Sequence, residues 1–73
     1  MTTQQNQQLI KALGLRISTI RNVQGMSRSR LSRLAEISME DLRDYEKGFR
    51  PIQIDQLERI SGVLKVKIFQ FFL

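Results

Sequence analysis

Apolar residues recur at three- and four-residue spacing in four stretches of the chain, separated by short polar or glycine-bearing segments. Leu9, Leu13, Ile17 and Ile20 keep one helical face through about residue 23, and Gly25 is placed to end that helix. Leu31, Leu34 and Ala35 form a second stripe, and Leu42 with Tyr45 a third. Ser27 and Ser38 stand in front of these two stripes as helix caps, each able to accept a hydrogen bond from a free backbone N–H of the first turn. Asp41 then adds a carboxylate where the second of these helices favours negative charge. Gly48 sits where a helix stops in the left-handed conformation that side chains with a Cβ disfavour. Phe49-Arg50-Pro51 reads as a loop, because proline disfavours helix in the residue before it. A fourth helix is predicted from about Gln53 to Leu64, burying Ile54, Leu57, Ile60 and Leu64, with Gly62 weakening its end. The stretch from Val66 to Leu73 fits a short helix or a strand, and the glutamine-rich residues 1–8 suggest a flexible arm.

Two capped helices joined by a turn of about three or four residues make residues 27–47 a helix-turn-helix. At 73 residues the chain has room for one modest core, expected over residues 9–73 as a single all-α domain. It has no cysteine and no histidine, so no disulfide braces it, a structural zinc site is remote, and no metal or cofactor is expected. The same gap removes the usual bases and nucleophiles, no glycine-rich phosphate loop is present, and the carboxylates fall on helix surface; an enzyme is not expected. No apolar run approaches the roughly 20 residues that span a bilayer, and the first residues lack a basic or apolar signal region, so a soluble, cytoplasmic, nucleoid-associated protein is expected. Twelve Lys and Arg against seven Asp and Glu leave a net charge of +5, which favours polyanions through counterion release.

From Leu13 to Phe72 the chain resembles, without a gap, the Cro and phage-repressor type of helix-turn-helix domain, the XRE family. The resemblance is carried by Leu13-Gly14, Ile17, Ile20-Arg21, Gly25-Met26-Ser27, Leu31, Ala35, Ile37-Ser38, Leu42, Tyr45-Glu46-Lys47-Gly48, Arg50-Pro51, Leu57, Ile60, Leu64, Val66 and Phe71-Phe72. It implies a compact five-helix, lambda-repressor-like bundle in which residues 28–35 support a recognition helix at 39–47. It also implies a structural pair between Arg21 of the first helix and Glu46 of the third, for which a forked guanidinium–carboxylate contact is the physical basis. Double-stranded DNA is the implied partner. The residues expected to face it are Arg28, Ser38, Met39, Glu40, Arg43 and Asp44, with Ser27, Lys47 and Arg50 nearer the phosphates. Arg43 suits the O6 and N7 of guanine, Met39 a thymine methyl and Glu40 a cytosine amino group. Ser27 and Arg28, at a helix start, suit a backbone oxygen.

The recognition segment departs from that pattern in carrying Glu40, Asp41, Asp44 and Glu46 against only Arg43 and Lys47. Acidic groups beside phosphates lose affinity unless they meet a base donor or point away. Asp41 is accounted for by the helix start and Glu46 by Arg21, but Asp44 has no partner evident in the sequence. Glu36 stands where a glycine is common in the turn, which implies a turn conformation that ordinary residues tolerate. Arg30 and Arg33 are left to solvent, to Glu36 or to the acidic groups of a partner. Phe69, Phe71, Phe72 and Leu73 gather more apolar surface than so small a core can hold, so a two-fold dimer is expected, with Phe69 or Phe72 inside and the rest at the contact. The function expected is a sequence-specific transcriptional regulator acting as a homodimer, as in phage repressors or restriction-modification controllers. The alternative is a protein-interaction module of the same fold, antitoxin-like or repressor-binding.

Overall fold

The computed structural model describes the backbone of residues 3–73 and the side chains from Gln7 onward. Its elements are α1 (Thr3–Val23), α2 (Arg28–Ala35), α3 (Met39–Lys47), α4 (Ile54–Leu64) and a 3-10 turn (Ile68–Phe72). Four α-helices and one 3-10 turn therefore stand where five helices were expected. The last segment is short, and its tighter winding is held by the Gln70 side chain, whose Oε1 accepts from the Lys67 N–H at 2.7 Å. Helix α1 begins at Thr3 rather than Leu9. Glutamine is a good helix former, so residues 3–8 extend the helix beyond its apolar stripe. Met1 and Thr2, the rest of the expected arm, lie outside the described residues.

Caps define the central helices as the sequence indicates. Ser27 Oγ accepts from the Arg30 N–H and Ser38 Oγ from the Asp41 N–H, each at 3.0 Å. Gly48 closes α3 with φ 73°. Glu36 closes α2 in the same left-handed region, at φ 58° and ψ 48°. This corrects the expectation of an ordinary turn: the pair of bonds that ends α2, Glu36 N–H to Arg33 and Ile37 N–H to Ser32, requires the left-handed residue whatever its side chain.

The core gathers Ile17, Leu31, Ala35, Ile37, Leu42, Tyr45, Leu57, Ile60, Leu64 and Phe71. α1 packs on α3, and α2 on both α3 and α4. Three residues of the expected stripes lie outside the core. Leu34 is 47% exposed, because the buried face of α2 runs through Leu31, Ser32 and Ala35; at about 100° per residue, Leu34 falls to one side of that face. Leu9 and Ile54 are exposed on the rim of an apolar cavity between α1 and the start of α4, where no element covers them. At the C-terminus Phe71 is the ring that enters the core, while Phe69, Phe72 and Leu73 remain outside. This reverses the expected assignment, because the 3-10 turn directs Phe71 inward.

Gly14 allows α1 and α3 to approach closely. A Cβ there would stand 2.1 Å from the Tyr45 carbonyl oxygen. Two side chains close helix ends from a distance: Arg59 Nε donates to the Ala35 carbonyl and Gln24 Nε2 to the Leu64 carbonyl, both at 2.7 Å.

Candidate nucleic-acid interface

The inner face of α3 is fastened by polar contacts as well as by Leu42 and Tyr45. Arg21 reaches from α1 with a forked contact to Glu46, Nε to Oε2 at 2.7 Å and Nη2 to Oε1 at 3.1 Å. Its third nitrogen donates to the Met26 carbonyl at 2.8 Å, tying in the loop between α1 and α2. The Arg21 and Glu46 side chains are 8% and 2% exposed, so the expected pair is present and buried. A second guanidinium joins them: Arg28 Nε donates to Glu46 Oε1 at 2.9 Å. One carboxylate thus gathers α1, α2 and α3, and with two arginines around it the group keeps a surplus positive charge beside the start of α2. The Tyr45 hydroxyl donates to Gln56 Oε1, linking α3 to α4. Burial raises the pKa of this phenol, Arg50 opposes the rise, and the carboxylates of Asp41, Asp55 and Asp44 add to it.

The outer face of α3 carries Met39, Glu40, Arg43 and Lys47, all exposed. Met39, Glu40 and Arg43 form a shallow depression with Arg28 across the turn. Ser27 and Ser38 are exposed at the starts of their helices, with their side-chain oxygens engaged as caps. Seven of the nine residues expected at DNA therefore stand on or beside one face.

Asp44 and Arg50 differ in placement from what the sequence suggests. Asp44 has a partner after all: the loop turns back behind Gly48 and brings Arg50 Nε to 3.7 Å from Asp44 Oδ2. The same guanidinium donates to Asp41 Oδ1 and lies 5.0 Å from the centre of the Tyr45 ring. Arg50, expected near phosphates, is thus occupied by the carboxylates of α3. The Arg28–Glu46 and Arg50–Asp41 contacts span 18 and 9 residues across turns and follow no helical spacing, so no pattern in the sequence announces them. Among the described residues no cluster of potential metal ligands occurs, and no helix is long and apolar enough to cross a membrane.

No family model matches the chain. It is 33% identical over 60 residues to an uncharacterized HTH-type transcriptional regulator of Sinorhizobium medicae, an alignment that takes in 82% of this chain and 43% of the relative. The chain thus spans less than half the length of that relative. Its structure is similar to the restriction-modification controller protein C.AhdI of Aeromonas hydrophila, with TM-score 0.82 at 22% identity over 89% of this chain and 97% of the controller. It is also similar to SinR, the master regulator for biofilm formation, solved in complex with DNA, with TM-score 0.79 at 29% identity over 84% of this chain and 98% of SinR. The chain's fold is that of the helix-turn-helix regulators it resembles. In this helix-turn-helix arrangement α2 and α3 are the two helices joined by the turn, and three of the four acidic side chains of α3 are paired with arginines of other segments.

Proposed function

We propose that the domain binds operator DNA as a homodimer and regulates transcription by occupancy, placing the outer face of α3 in the major groove. The observation that carries this reading is the partnering of Asp41, Asp44 and Glu46 by Arg50, Arg21 and Arg28. It removes the charge conflict that an acidic recognition helix would otherwise present to phosphate. What is left facing outward is Met39, Glu40, Arg43 and Lys47, a set able to read base edges with a net positive balance. Arg43 is the main base reader, Met39 and Glu40 its neighbours, and Ser27, Arg28 and Lys47 approach the backbone. The dimer contact uses the exposed Phe69, Phe72 and Leu73; Phe71, already in the core, supports the patch from behind. Two such subunits would place their recognition helices about 34 to 36 Å apart, one turn of DNA.

The test is binding to a fluorescent duplex of the upstream DNA of its own coding region, against scrambled duplex, across a salt titration. Wild type is expected to prefer its own DNA, with binding that weakens steeply as salt rises. Arg43→Ala is expected to lose about 1 to 3 kcal/mol of that discrimination while its unfolding stays within about 0.5 kcal/mol of wild type. Weak, equal binding of both proteins to every duplex would overturn the reading in favour of a protein-interaction module.

A further inference from the structure

We propose that Arg50 is a positioning residue, a charge-neutralising brace on the recognition helix, and does not bind DNA phosphate. The inference rests on the DNA-binding reading above and concerns how α3 is made fit for it. Arg50 lies in the loop after α3, yet its guanidinium returns to that helix and meets two of its side chains one turn apart, Asp41 by a hydrogen bond and Asp44 at 3.7 Å. Asp41 and Asp44 stand at i and i+3, so a single planar guanidinium can face both. The third side of the cradle is the face of Tyr45, 5.0 Å from the Arg50 Cζ to the ring centre, a distance at which ring and cation attract. Tyr45 is itself 2% exposed and anchored to Gln56, so the ring under Arg50 is held in place by packing and a hydrogen bond.

The charge arithmetic favours a brace over a phosphate ligand. Swinging Arg50 to a phosphate would leave two adjacent carboxylates uncovered on the helix that enters the groove, exchanging one attraction for two repulsions. Keeping Arg50 in place lowers the negative charge of that strip without using any outward-facing residue. Arg28 sits similarly toward Glu46, but its partner is buried; Arg50 covers carboxylates that are 39% and 29% exposed and would otherwise be felt by DNA.

A double-substitution cycle decides the matter. Wild type, Arg50→Met, Asp41→Asn/Asp44→Asn and the triple variant are compared for affinity to the duplex wild type prefers, at several potassium chloride concentrations, and for urea unfolding without DNA. Methionine keeps the packing over Tyr45 and removes the charge. A brace predicts that Arg50→Met weakens DNA binding about tenfold at low salt in the native background and by less than about twofold when both aspartates are neutral. A loss of equal or greater size in the asparagine background would mean that Arg50 holds a phosphate directly, and would overturn the proposal. In urea, Arg50→Met should lower the unfolding midpoint more when the aspartates are present than when they are neutral, the remainder being the lost attraction to the Tyr45 ring. Identical midpoint shifts in both backgrounds, or none in either, would overturn the brace without reference to DNA. Should wild type prefer no duplex, the DNA reading fails while the unfolding cycle still decides whether Arg50 braces α3.

Discussion

The two faces of α3 differ in how many independent contacts hold each residue. On the inner face, Leu42 is fully buried, Tyr45 is packed and hydrogen-bonded, and Glu46 accepts three N–H bonds from two arginines. On the outer face Met39, Glu40, Arg43 and Lys47 meet solvent. Nine residues of helix are too short to be stable by propensity alone, so the inner face supplies the helix its existence and its orientation, and the outer face is left free of packing constraints. The difference teaches that acidic content alone is a poor guide to what this helix can bind, because Glu46 belongs to the scaffold and Asp41 and Asp44 are covered from the next loop.

The strongest way to break the inner face is at Glu46. Glu46→Ala leaves Arg21, a nearly buried cation, without its carboxylate, and is expected to cost about 3 to 5 kcal/mol in urea unfolding. The paired change Arg21→Met/Glu46→Leu removes both charges and should restore much of that loss. If the single change costs no more than an exposed pair, under about 1 kcal/mol, the hub is not what orients α3. The next effect comes from the α1–α3 contact. Gly14→Ala would place a Cβ 2.1 Å from the Tyr45 carbonyl, which neither backbone can accept without shifting, so a loss of about 3 kcal/mol is expected. Gly62→Ala is the control: a Cβ there meets nothing within 4 Å, and within helix α4 it should add about 0.5 to 1 kcal/mol.

The sequence made the two central helices legible because their signals are local: Ser27 and Ser38 as caps, Gly48 as a stop, and the Leu31–Ala35 and Leu42–Tyr45 spacings all act within a few residues. The Arg21–Glu46 pair, 25 residues apart, was legible only through the resemblance. The pattern misled where burial depends on what else is nearby. Leu34 and Ile54 keep helical spacing with buried neighbours, but the packing partner covers a slightly different face or ends short of them. At the C-terminus, a run of Phe69, Phe71 and Phe72 gives no periodicity from which to choose the inward ring, and the choice of Phe71 follows from the 3-10 winding. The partners of Asp44 and Arg28 were hidden for a third reason: each is brought together by a turn, and a turn's direction is not written in the spacing of the residues it joins.

Glu36, in the turn between α2 and α3, offers the finest test of the same comparison, since its exposed side chain belongs to neither face of α3. Glu36 and Gly48 end their helices with nearly the same backbone, φ 58° and φ 73°, yet only one of them is glycine. At Gly48 a Cβ would also stand 2.7 Å from the Lys11 Cα, so space as well as conformation demands glycine there. At Glu36 the side chain is exposed and only the conformation is unfavourable. Glu36→Gly should therefore relieve the left-handed strain, offset in part by the greater freedom glycine has when unfolded, for a net gain of about 0.5 to 1 kcal/mol. If the inner face alone sets how α3 is presented, this gain in stability will leave the preference among DNA duplexes unchanged. A variant that is more stable yet loses discrimination would show instead that the rigidity of the turn helps to aim the outer face, and the orientation of α3 would then have two sources rather than one.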